Sequence, residues 1–406
     1  MARSATTTIE NAQVFDGTTS LGVVTVVVAD GTITSILPPA EHTPDADEVV
    51  DARGGTLLPG LVDAHVHLRG AGNLGQDLRH GVTTVLDMFS APPQFTAMLR
   101  GRAARRDDEA DLRSSGLMAG AADGWPAVML PPDPSGWRMP GLSGPGDADT
   151  FVRDRAREGS DYLKVFVENA ADVSRPTLAP ETVAAVTAAA RRRGLLTVAH
   201  APTVWATRTA REAGVDVLTH LPLDGALEGD LSGLVVSPTL TMMRALTDPA
   251  SAADLLADPR LTRRLPRRVV DALAAGDRGG LPTSSAVGAS YDHAEANLRR
   301  LREAGATILA GTDANDVPGR AAAVLHGASM HLELELLVRA GMSPVEALHA
   351  ATAAPARVFG LADRGRIAVG ARADLLLVDG DPLTDVTATR DVRRVWRAGV
   401  GLDPAA

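Results

Sequence analysis

The chain has 406 residues, 45% of them hydrophobic, which is enough apolar material for one large core beside a smaller companion domain. The formal net charge of −10 argues against a broad basic face for nucleic acid or anionic lipid. There is no cysteine, which excludes disulfides and thiolate metal sites.

Targeting signals are not apparent. The opening stretch MARSATTTIE has no apolar segment of the length that a signal peptide needs. No apolar run reaches the roughly 20 residues that span a bilayer. We therefore expect a cytoplasmic protein with a small-molecule substrate and without nucleic-acid or membrane partners. Assembly into a homo-oligomer is compatible with the sequence.

The two ends of the chain contain short strand-like runs. Residues 5–56 include TTTIENAQVF, VVTVVVADGTITSIL and EVVDARGGTLL, and turn signals such as Asp30 followed by Gly31 separate them. Residues 365–400 include RGRIAVGARADLLLVDG and VRRVWRAGV. We predict that residues 1–57 and 360–406 pair into one composite β-sandwich.

Between these ends, residues 58–359 alternate strand-like runs with helical stretches. The runs are LVDAHVH (61–67), VTTVLDM (82–88), RSSGLMA (113–119), DYLKVFV (161–167), LLTVAH (195–200), DVLTH (216–220), GLVVSPT (233–239) and ATILAGTD (306–313). Helical stretches such as AEANLRRLREAG lie between several of them, and Gly305 is a suitable helix stop. Eight such repeats predict an α/β fold, a (β/α)8 TIM barrel with a parallel sheet.

One connection is unusually long. Residues 120–150 are rich in Pro and Gly and contain Trp125 and Trp137. Structureless loops of this length are often functional lids. Because the segment follows the third strand, we expect it to cover the C-terminal mouth of the barrel; a tolerated surface insertion is the alternative.

The first barrel strand carries His65 and His67. Residues two apart on a strand point to the same face, here the barrel interior. Two imidazoles on one face are a natural clamp for a borderline metal ion.

Three later strands also end in polar side chains. His200 ends the fifth run, His220 the sixth and Asp313 the eighth. Barrel enzymes keep their catalytic groups at these strand ends. Imidazole and carboxylate groups that are buried together require pairing or a metal.

Lys164 is the only lysine among the 40 lysines and arginines of the chain, and it lies inside the apolar fourth strand. A buried lysine can lose its proton, whereas arginine stays charged. A neutral amine can take up carbon dioxide and become a carbamate, an anionic group long enough to bridge two metals. We predict that Lys164 is retained for this reason.

These residues resemble the amidohydrolase superfamily. The phrase LLPGLVDAHVHL (57–68), the lysine of DYLKVFV, His200, His220 and GTDA (311–314) match its pattern in order. The segments HGASMHLELELLVRAGMSPVEALHAATAAPARVFGL and GRIAVGARADLLLVDGDPL resemble the imidazolonepropionase-like and metal-dependent prolidase-like members, the latter being Xaa-Pro or Xaa-Arg dipeptidases.

The resemblance implies a binuclear centre with two divalent ions, usually Zn²⁺. His65, His67 and Asp313 would hold one ion, His200 and His220 the second, and the carbamate of Lys164 would bridge them. A hydroxide between the metals would attack the substrate carbonyl, and Asp313 would be the general base. The catalytic set is then Asp313, Lys164 and His220.

Substrate contacts are predicted more loosely. Glu168 follows Lys164 on the same alternating face and either meets a substrate cation or caps a helix. His326 lies in a stretch that resembles a substrate-binding segment. Tyr291 follows a Gly- and Ser-rich loop and is a third candidate. For His331 we favour a position on a helix surface. Asp87 ends the second strand and either supports a metal ligand or caps a helix, and we favour the cap.

The resemblance favours hydrolysis of an amide C–N bond in an N-acyl amino acid, a dipeptide or a related amide. A mononuclear cyclic-amide hydrolase or deaminase is the alternative, although such relatives generally lack the strand lysine. A lactonase or esterase on the same metal centre stays open. A non-catalytic scaffold is disfavoured because all six ligand positions are filled.

Overall fold

Strands from both ends of the chain form one mixed sheet. The computed structural model describes residues 6–39, 46–130, 135–169, 174–277, 288–320 and 322–403. The sheet has the order β16-β15-β14-β5-β1-β2-β3, with β4 paired to β1. Its strands are β1 (Thr6–Phe15), β2 (Ser20–Ala29), β3 (Thr32–Leu37), β4 (Glu48–Asp51), β5 (Thr56–Pro59), β14 (Leu375–Val378), β15 (Val392–Arg397) and β16 (Val400–Leu402).

The antiparallel pair β5–β14 joins the two chain ends, with Leu57 opposite Leu377. The edge strand β3 also contacts the segment just before β14. The backbone of Ile33 donates a hydrogen bond to Ala371 and accepts one from Gly370. The curled sheet encloses an apolar core that includes Ile9, Val14, Val26, Ile33, Leu57, Leu375, Leu377 and Trp396. The expected pairing of the two ends is thus present, whereas the division at residues 57 and 360 stays a prediction.

All eight strand-like runs of the central segment contain strands, and the strands are parallel. A sheet of three has the order β6-β7-β8 and a sheet of five has the order β13-β12-β11-β10-β9. Most of these residues are buried, as expected where both faces of a parallel sheet are covered. The strands are β6 (Leu61–Val66), β7 (Val82–Asp87), β8 (Asp111–Ser114), β9 (Leu163–Phe166), β10 (Thr197–His200), β11 (Val217–Thr219), β12 (Val235–Ser237) and β13 (Thr307–Ile308).

Backbone hydrogen bonds connect the two parallel sheets at two places. Ala119, just after β8, donates to the carbonyl of Lys164 and accepts from Phe166, both at 2.8 Å. Asp313 donates to the carbonyl of His65 at 2.8 Å, and His67 donates to that of Ala314 at 2.8 Å. The second set fixes the segment after β13 against β6.

Helices alternate with the strands and cover them. In helix α4 (Pro180–Arg191) the proline occupies the first turn, and Val183, Val186 and Ala190 are buried along one stripe. The stop predicted at Gly305 is confirmed, because α10 ends at Glu303 and Gly305 has φ +73°. The helices are α1 (Gly72–Arg79), α2 (Pro93–Ala103), α3 (Ala148–Arg157), α4 (Pro180–Arg191), α5 (Val204–Glu212), α6 (Leu240–Thr247), α7 (Ala252–Ala257), α8 (Pro259–Thr262), α9 (Arg267–Ala274), α10 (Tyr291–Glu303), α11 (Ala328–Arg339), α12 (Pro344–Ala350) and α13 (Ala353–Val358). Within the described ranges, none of them combines the length and the apolar character needed to cross a membrane.

The long connection packs near the carboxyl ends of the strands. Trp137 and Met139 are half-buried against a cluster of Phe89, Leu117 and Met118, and Phe166 joins the same cluster. Residues 131–134 of this connection lie outside the described residues. Its action as a lid stays a prediction.

Candidate metal centre

Polar side chains from five strands converge at the carboxyl edge of the parallel sheets. His65 lies near the end of β6, Lys164 within β9 and His200 at the end of β10. His220 follows β11 directly, and Asp313 lies in the segment after β13. Parallel strands all present their carboxyl ends at the same edge, so residues far apart in sequence meet there.

The first group consists of His65, His67 and Asp313. Asp313 Oδ1 lies 3.1 Å from His67 Nε2 and 3.5 Å from His65 Nε2. One ligand atom from each residue falls within 4.8 Å of the others, which suits a shared cation. Both ring nitrogens of the buried His65 lack a hydrogen-bond partner among the described residues. An orphaned buried imidazole is the donor that a borderline metal ion would satisfy.

The second group consists of His200 and His220. His200 Nδ1 lies 2.9 Å from His220 Nε2, and the ring centroids are 4.8 Å apart. His220 Nδ1 is 2.6 Å from Thr239 Oγ1 and 3.7 Å from Asp313 Oδ2. The rings of His65 and His220 lie 5.0 Å apart, so the two groups adjoin.

Lys164 lies at the same place and is 1% exposed. Its Nζ donates a 2.7 Å hydrogen bond to Thr219 Oγ1, and Thr219 immediately precedes His220. Burial lowers the pKa of Lys164 to about 7, and the charge of Asp313 only partly opposes this shift. A substantial fraction of this amine is therefore neutral at physiological pH.

The electrostatics of the cluster favour the protonation states that metal ligands need. Burial lowers the pKa of His65 and of His220 well below the usual range, so both rings are neutral at pH 7. Burial works against ionisation of Asp313, but the hydrogen bond from His67 and the nearby His220 lower its pKa to about 2. Neutral imidazoles and an ionised carboxylate form the donor set that binds a divalent cation.

A family model described as the amidohydrolase family matches residues 56–401. The chain belongs to the amidohydrolase family. Members of this family are metal-dependent, and His65, His67 and Asp313 form a candidate metal site here. The protein is accordingly a hydrolase that acts on C–N bonds. The resemblance noted from the sequence is confirmed.

Individual relatives of this amidohydrolase extend over most of its length. The imidazolonepropionase of Anaeromyxobacter sp. (strain K) is 29% identical over 385 residues, which cover 83% of this chain and 79% of that protein. A Xaa-Pro dipeptidase with bound methionine superposes with a TM-score of 0.75 at 21% identity, covering 98% of this chain and all of that one. The ochratoxinase of A. niger superposes with a TM-score of 0.73 at 20% identity, covering 99% and 96%. The two structural likenesses show a shared fold.

Asp63 supports the first group, and our sequence reasoning missed it. This buried carboxylate accepts hydrogen bonds from the backbone of His65 at 3.1 Å and of Thr312 at 3.0 Å, and from Thr312 Oγ1 at 2.7 Å. It thereby fixes His65 relative to the segment that ends in Asp313. The signal was available, because Asp63 alternates in phase with His65 and His67 along the first strand.

Asp87 has a supporting place as well, and the helix-cap interpretation that we favoured is wrong. Its carboxylate accepts from the backbone of Leu68 at 3.1 Å, directly after His67. The hydroxyls of Ser90 and Ser114 donate to its other oxygen at 2.9 and 2.5 Å. The adjacent helix α2 begins at Pro93 without a side-chain cap.

Of the predicted substrate contacts, the structure brings only Glu168 to the cluster. Glu168 Oε1 lies 3.0 Å from His200 Nε2. His326 instead is fully buried behind His67, with Nδ1 3.0 Å from Asp77 Oδ2 and Nε2 3.3 Å from the His67 carbonyl. Asp77 raises the pKa of His326 to about 9 against the effect of burial, which makes it a cationic support and not an open contact.

Tyr291 begins α10 and packs, partly buried, against the main apolar core, where burial together with Glu333 and Glu295 raises its pKa. Its contact with substrate stays a prediction. The helix-surface interpretation of His331 is wrong, because His331 is buried with Nε2 3.0 Å from the carbonyl of His80. Gly- and Ser-rich loops and helix periodicity do not reveal which face of a helix meets the barrel.

Proposed function

We propose that this amidohydrolase is a binuclear metal hydrolase that cleaves the amide C–N bond of an N-acyl amino acid, a dipeptide or a related small amide. The observation that carries the proposal is Lys164. The only lysine of the chain is buried beside the imidazoles and Asp313. Its pKa of about 7 means that part of the amine is neutral at physiological pH. Such an amine can be converted to the carbamate that a two-metal centre needs as a bridge.

The residues present fit two cations. His65, His67 and Asp313 would hold one ion, His200 and His220 the other, and carbamylated Lys164 would lie between them. Nitrogen and oxygen donors without thiolates suit Zn²⁺. When bound, the two cations would supply Lewis acidity and an activated water at neutral pH.

We further propose that the two parallel sheets are two arcs of one closed (β/α)8 barrel. The backbone hydrogen bonds of Ala119 with β9, and of Asp313 and His67 across β6, support this closure. Closure would hold the ligands of both groups at a fixed separation, which a two-metal centre requires.

Two carboxylates have distinct roles in the proposed reaction. Asp313 is ionised in the neutral range, so it can accept a proton from the attacking water and deliver it to the leaving nitrogen. Glu168 holds the outer nitrogen of His200 and fixes the orientation of that ring.

A single-metal cyclic-amide hydrolase is the second candidate, and the imidazolonepropionase relatives favour it. Such a site leaves Lys164 without a bridging function. The dipeptidase and ochratoxinase among the structural neighbours favour an open-chain amide instead. Metal stoichiometry separates the two candidates.

The test is metal content per chain, measured by elemental analysis on protein expressed with zinc and bicarbonate. We expect about two ions per chain in the wild type and about one or fewer in Lys164→Arg, which cannot form a carbamate. Arg191→Lys, at an exposed helix end, is the matched control and should retain both ions. Amine release from N-acyl amino acids and dipeptides is then assayed.

One ion in the wild type, unchanged in Lys164→Arg, would contradict the binuclear proposal. Ammonia release and cyclic-amide opening would then be the activities to assay. Full turnover by Lys164→Arg would likewise exclude the carbamate.

A further inference from the structure

A cleft lined by arginines lies outside the metal centre. It has a volume of about 790 Å³ and lies between α1, the turn that joins α8 to α9, the loop after Asp313 and strand β15. We call it the arginine cleft. Its charged lining consists of Arg79, Arg263, Arg264, Arg268, Arg393 and Asp403.

Most of these guanidinium groups have no carboxylate within ion-pair distance in the part of the chain that the structure describes, although Asp403 also lines the cleft. Among the described residues, Arg393 has an ion pair with Asp379 at 3.1 Å, whereas the other four arginines of the cleft have none. Arg264 donates to the backbone carbonyls of Arg260 at 2.9 Å and Val392 at 2.5 Å. Arg268 donates to the carbonyl of Gly319 at 2.8 Å. The backbone thus holds two guanidinium groups in place without cancelling their charge.

This concentration of positive charge is unusual in a chain of net charge −10. Like charges that share a cleft repel one another, and a bound anion relieves that repulsion. At the half-buried Arg264, burial and the neighbouring Arg263 lower the pKa to about 10, although Asp391 and Asp403 partly oppose the shift. Arg264 is still charged at neutral pH and can pair with a bound anion.

We propose that the arginine cleft binds a multivalent phosphate anion, such as the diphosphate portion of a small metabolite. Arginine forks match phosphate oxygens in a bidentate geometry, and several forks from separate elements suit more than one phosphate group. The cleft volume lies within the range of small-molecule sites. Net positive charge in a concave site also attracts the ligand from solution.

The cleft lies beside the two chain segments that follow His67 and Asp313, two residues of the first metal group. Helix α1, which carries Arg79, begins shortly after His67, and Gly319 lies in the loop after Asp313. An anion that joins Arg79 to Arg268 would connect α1 to α9, and Arg268 of α9 already donates to the carbonyl of Gly319 in that loop. Such a ligand would stabilise the folded protein, because it binds the folded state and not the unfolded chain.

The experiment is isothermal titration calorimetry of the metal-loaded protein with inorganic pyrophosphate at constant ionic strength. Metal content is measured before and after, so that removal of metal by pyrophosphate is detected. Arg263→Glu should weaken the affinity by roughly tenfold or more, because a charge-assisted contact is replaced by repulsion. Arg267→Glu changes the charge by the same amount at a highly exposed neighbour that pairs with Asp271, and is the matched control.

Saturable binding to the wild type, weakened in Arg263→Glu and retained in Arg267→Glu, supports the proposal. If Arg263→Glu does not fold, Arg79→Gln at the exposed end of α1 takes its place. No saturable heat in the wild type overturns the proposal. Equal loss in both charge variants, or binding that neither variant changes, also overturns it, because the anion would then respond to overall charge or occupy the metal centre.

Discussion

At the residue scale, Lys164 couples protonation to folding. Its pKa is about 7 in the folded protein and near 10.5 in the unfolded chain, so between these values the unfolded chain binds more protons. The contribution of Lys164 to the free energy of unfolding therefore rises with pH in that window, by at most about 1.4 kcal/mol per pH unit.

The measurement is denaturant unfolding of the metal-free protein at several pH values from 7 to 10. We expect the wild type to gain stability with pH relative to Lys164→Met, in which the titrating group is absent. All other titrating groups are common to both proteins, so the difference isolates the lysine. Parallel pH profiles would show that burial does not lower the pKa of Lys164.

Asp313 provides a second prediction at this scale. Asp313→Asn keeps the shape and one ligand oxygen but loses the proton acceptor, so kcat should fall by roughly 10²- to 10⁴-fold while part of the metal is retained. Steady-state kinetics beside metal analysis measures both effects. Asp224→Asn, at a carboxylate that caps the backbone of Val204, is the control with unchanged kcat. Unchanged turnover in Asp313→Asn would remove Asp313 from the proposed proton transfer.

At the scale of elements, helix α11 positions the second group from a distance. The fully buried Glu333 accepts hydrogen bonds from the backbone of Leu240 at 2.9 Å and of Thr241 at 2.8 Å, and from Thr241 Oγ1 at 2.6 Å. It thus anchors the first turn of α6 just after Thr239, whose hydroxyl contacts His220. Glu333 is a positioning residue.

Glu333→Ala would leave buried donors unsatisfied, at a cost of about 1–3 kcal/mol for each. We expect a lower melting temperature and weaker retention of the proposed second metal ion, because Thr239 would no longer fix His220. Glu333→Gln should restore part of the melting temperature and part of the metal retention. Glu335→Ala on the same helix removes ion pairs with Arg339 and with Arg390 of a later segment, and should lower stability without changing metal retention. Equal metal retention in Glu333→Ala and Glu335→Ala would refute the positioning role.

At the scale of the whole molecule, Asp111 joins the parallel strands to the terminal sheet. This carboxylate on β8 pairs with Arg364, which is 4% exposed, and with Arg372 at 2.8 Å. Burial opposes ionisation, but Arg364 and Arg372 hold the pKa of Asp111 well below its usual range. Both arginines belong to the segment that leads into β14. Asp111 therefore connects β8 to the segment through which the chain re-enters the terminal sheet.

Asp111→Asn would leave two guanidinium groups without their common partner. The expected loss is about 1.5–3 kcal/mol in the free energy of unfolding, because charge-assisted hydrogen bonds to Asp111 are lost. Arg364 keeps its ion pair with Asp363 at 2.9 Å, and Arg372 keeps its ion pair with Asp374 at 3.0 Å, so neither charge is left without a partner. Denaturant unfolding measures this loss. Asp108→Asn removes an exposed pair with Arg106 nearby and should cost less than about 1 kcal/mol. Equal stability of the two variants would show that Asp111 does not hold the sheets together.

The amino-acid sequence by itself determined the repeating strands, the return of the chain ends to one sheet and the six polar residues at strand ends. These features follow from local periodicity, because alternation fixes the face of each side chain and parallel strands share one carboxyl edge. Only the tertiary structure revealed the support from Glu333, the enclosure of His326 and the gathering of scattered arginines into one cleft. Such partners lie on separate elements, and the packing of helices against strands, which has no local signature in the sequence, decides which of them meet.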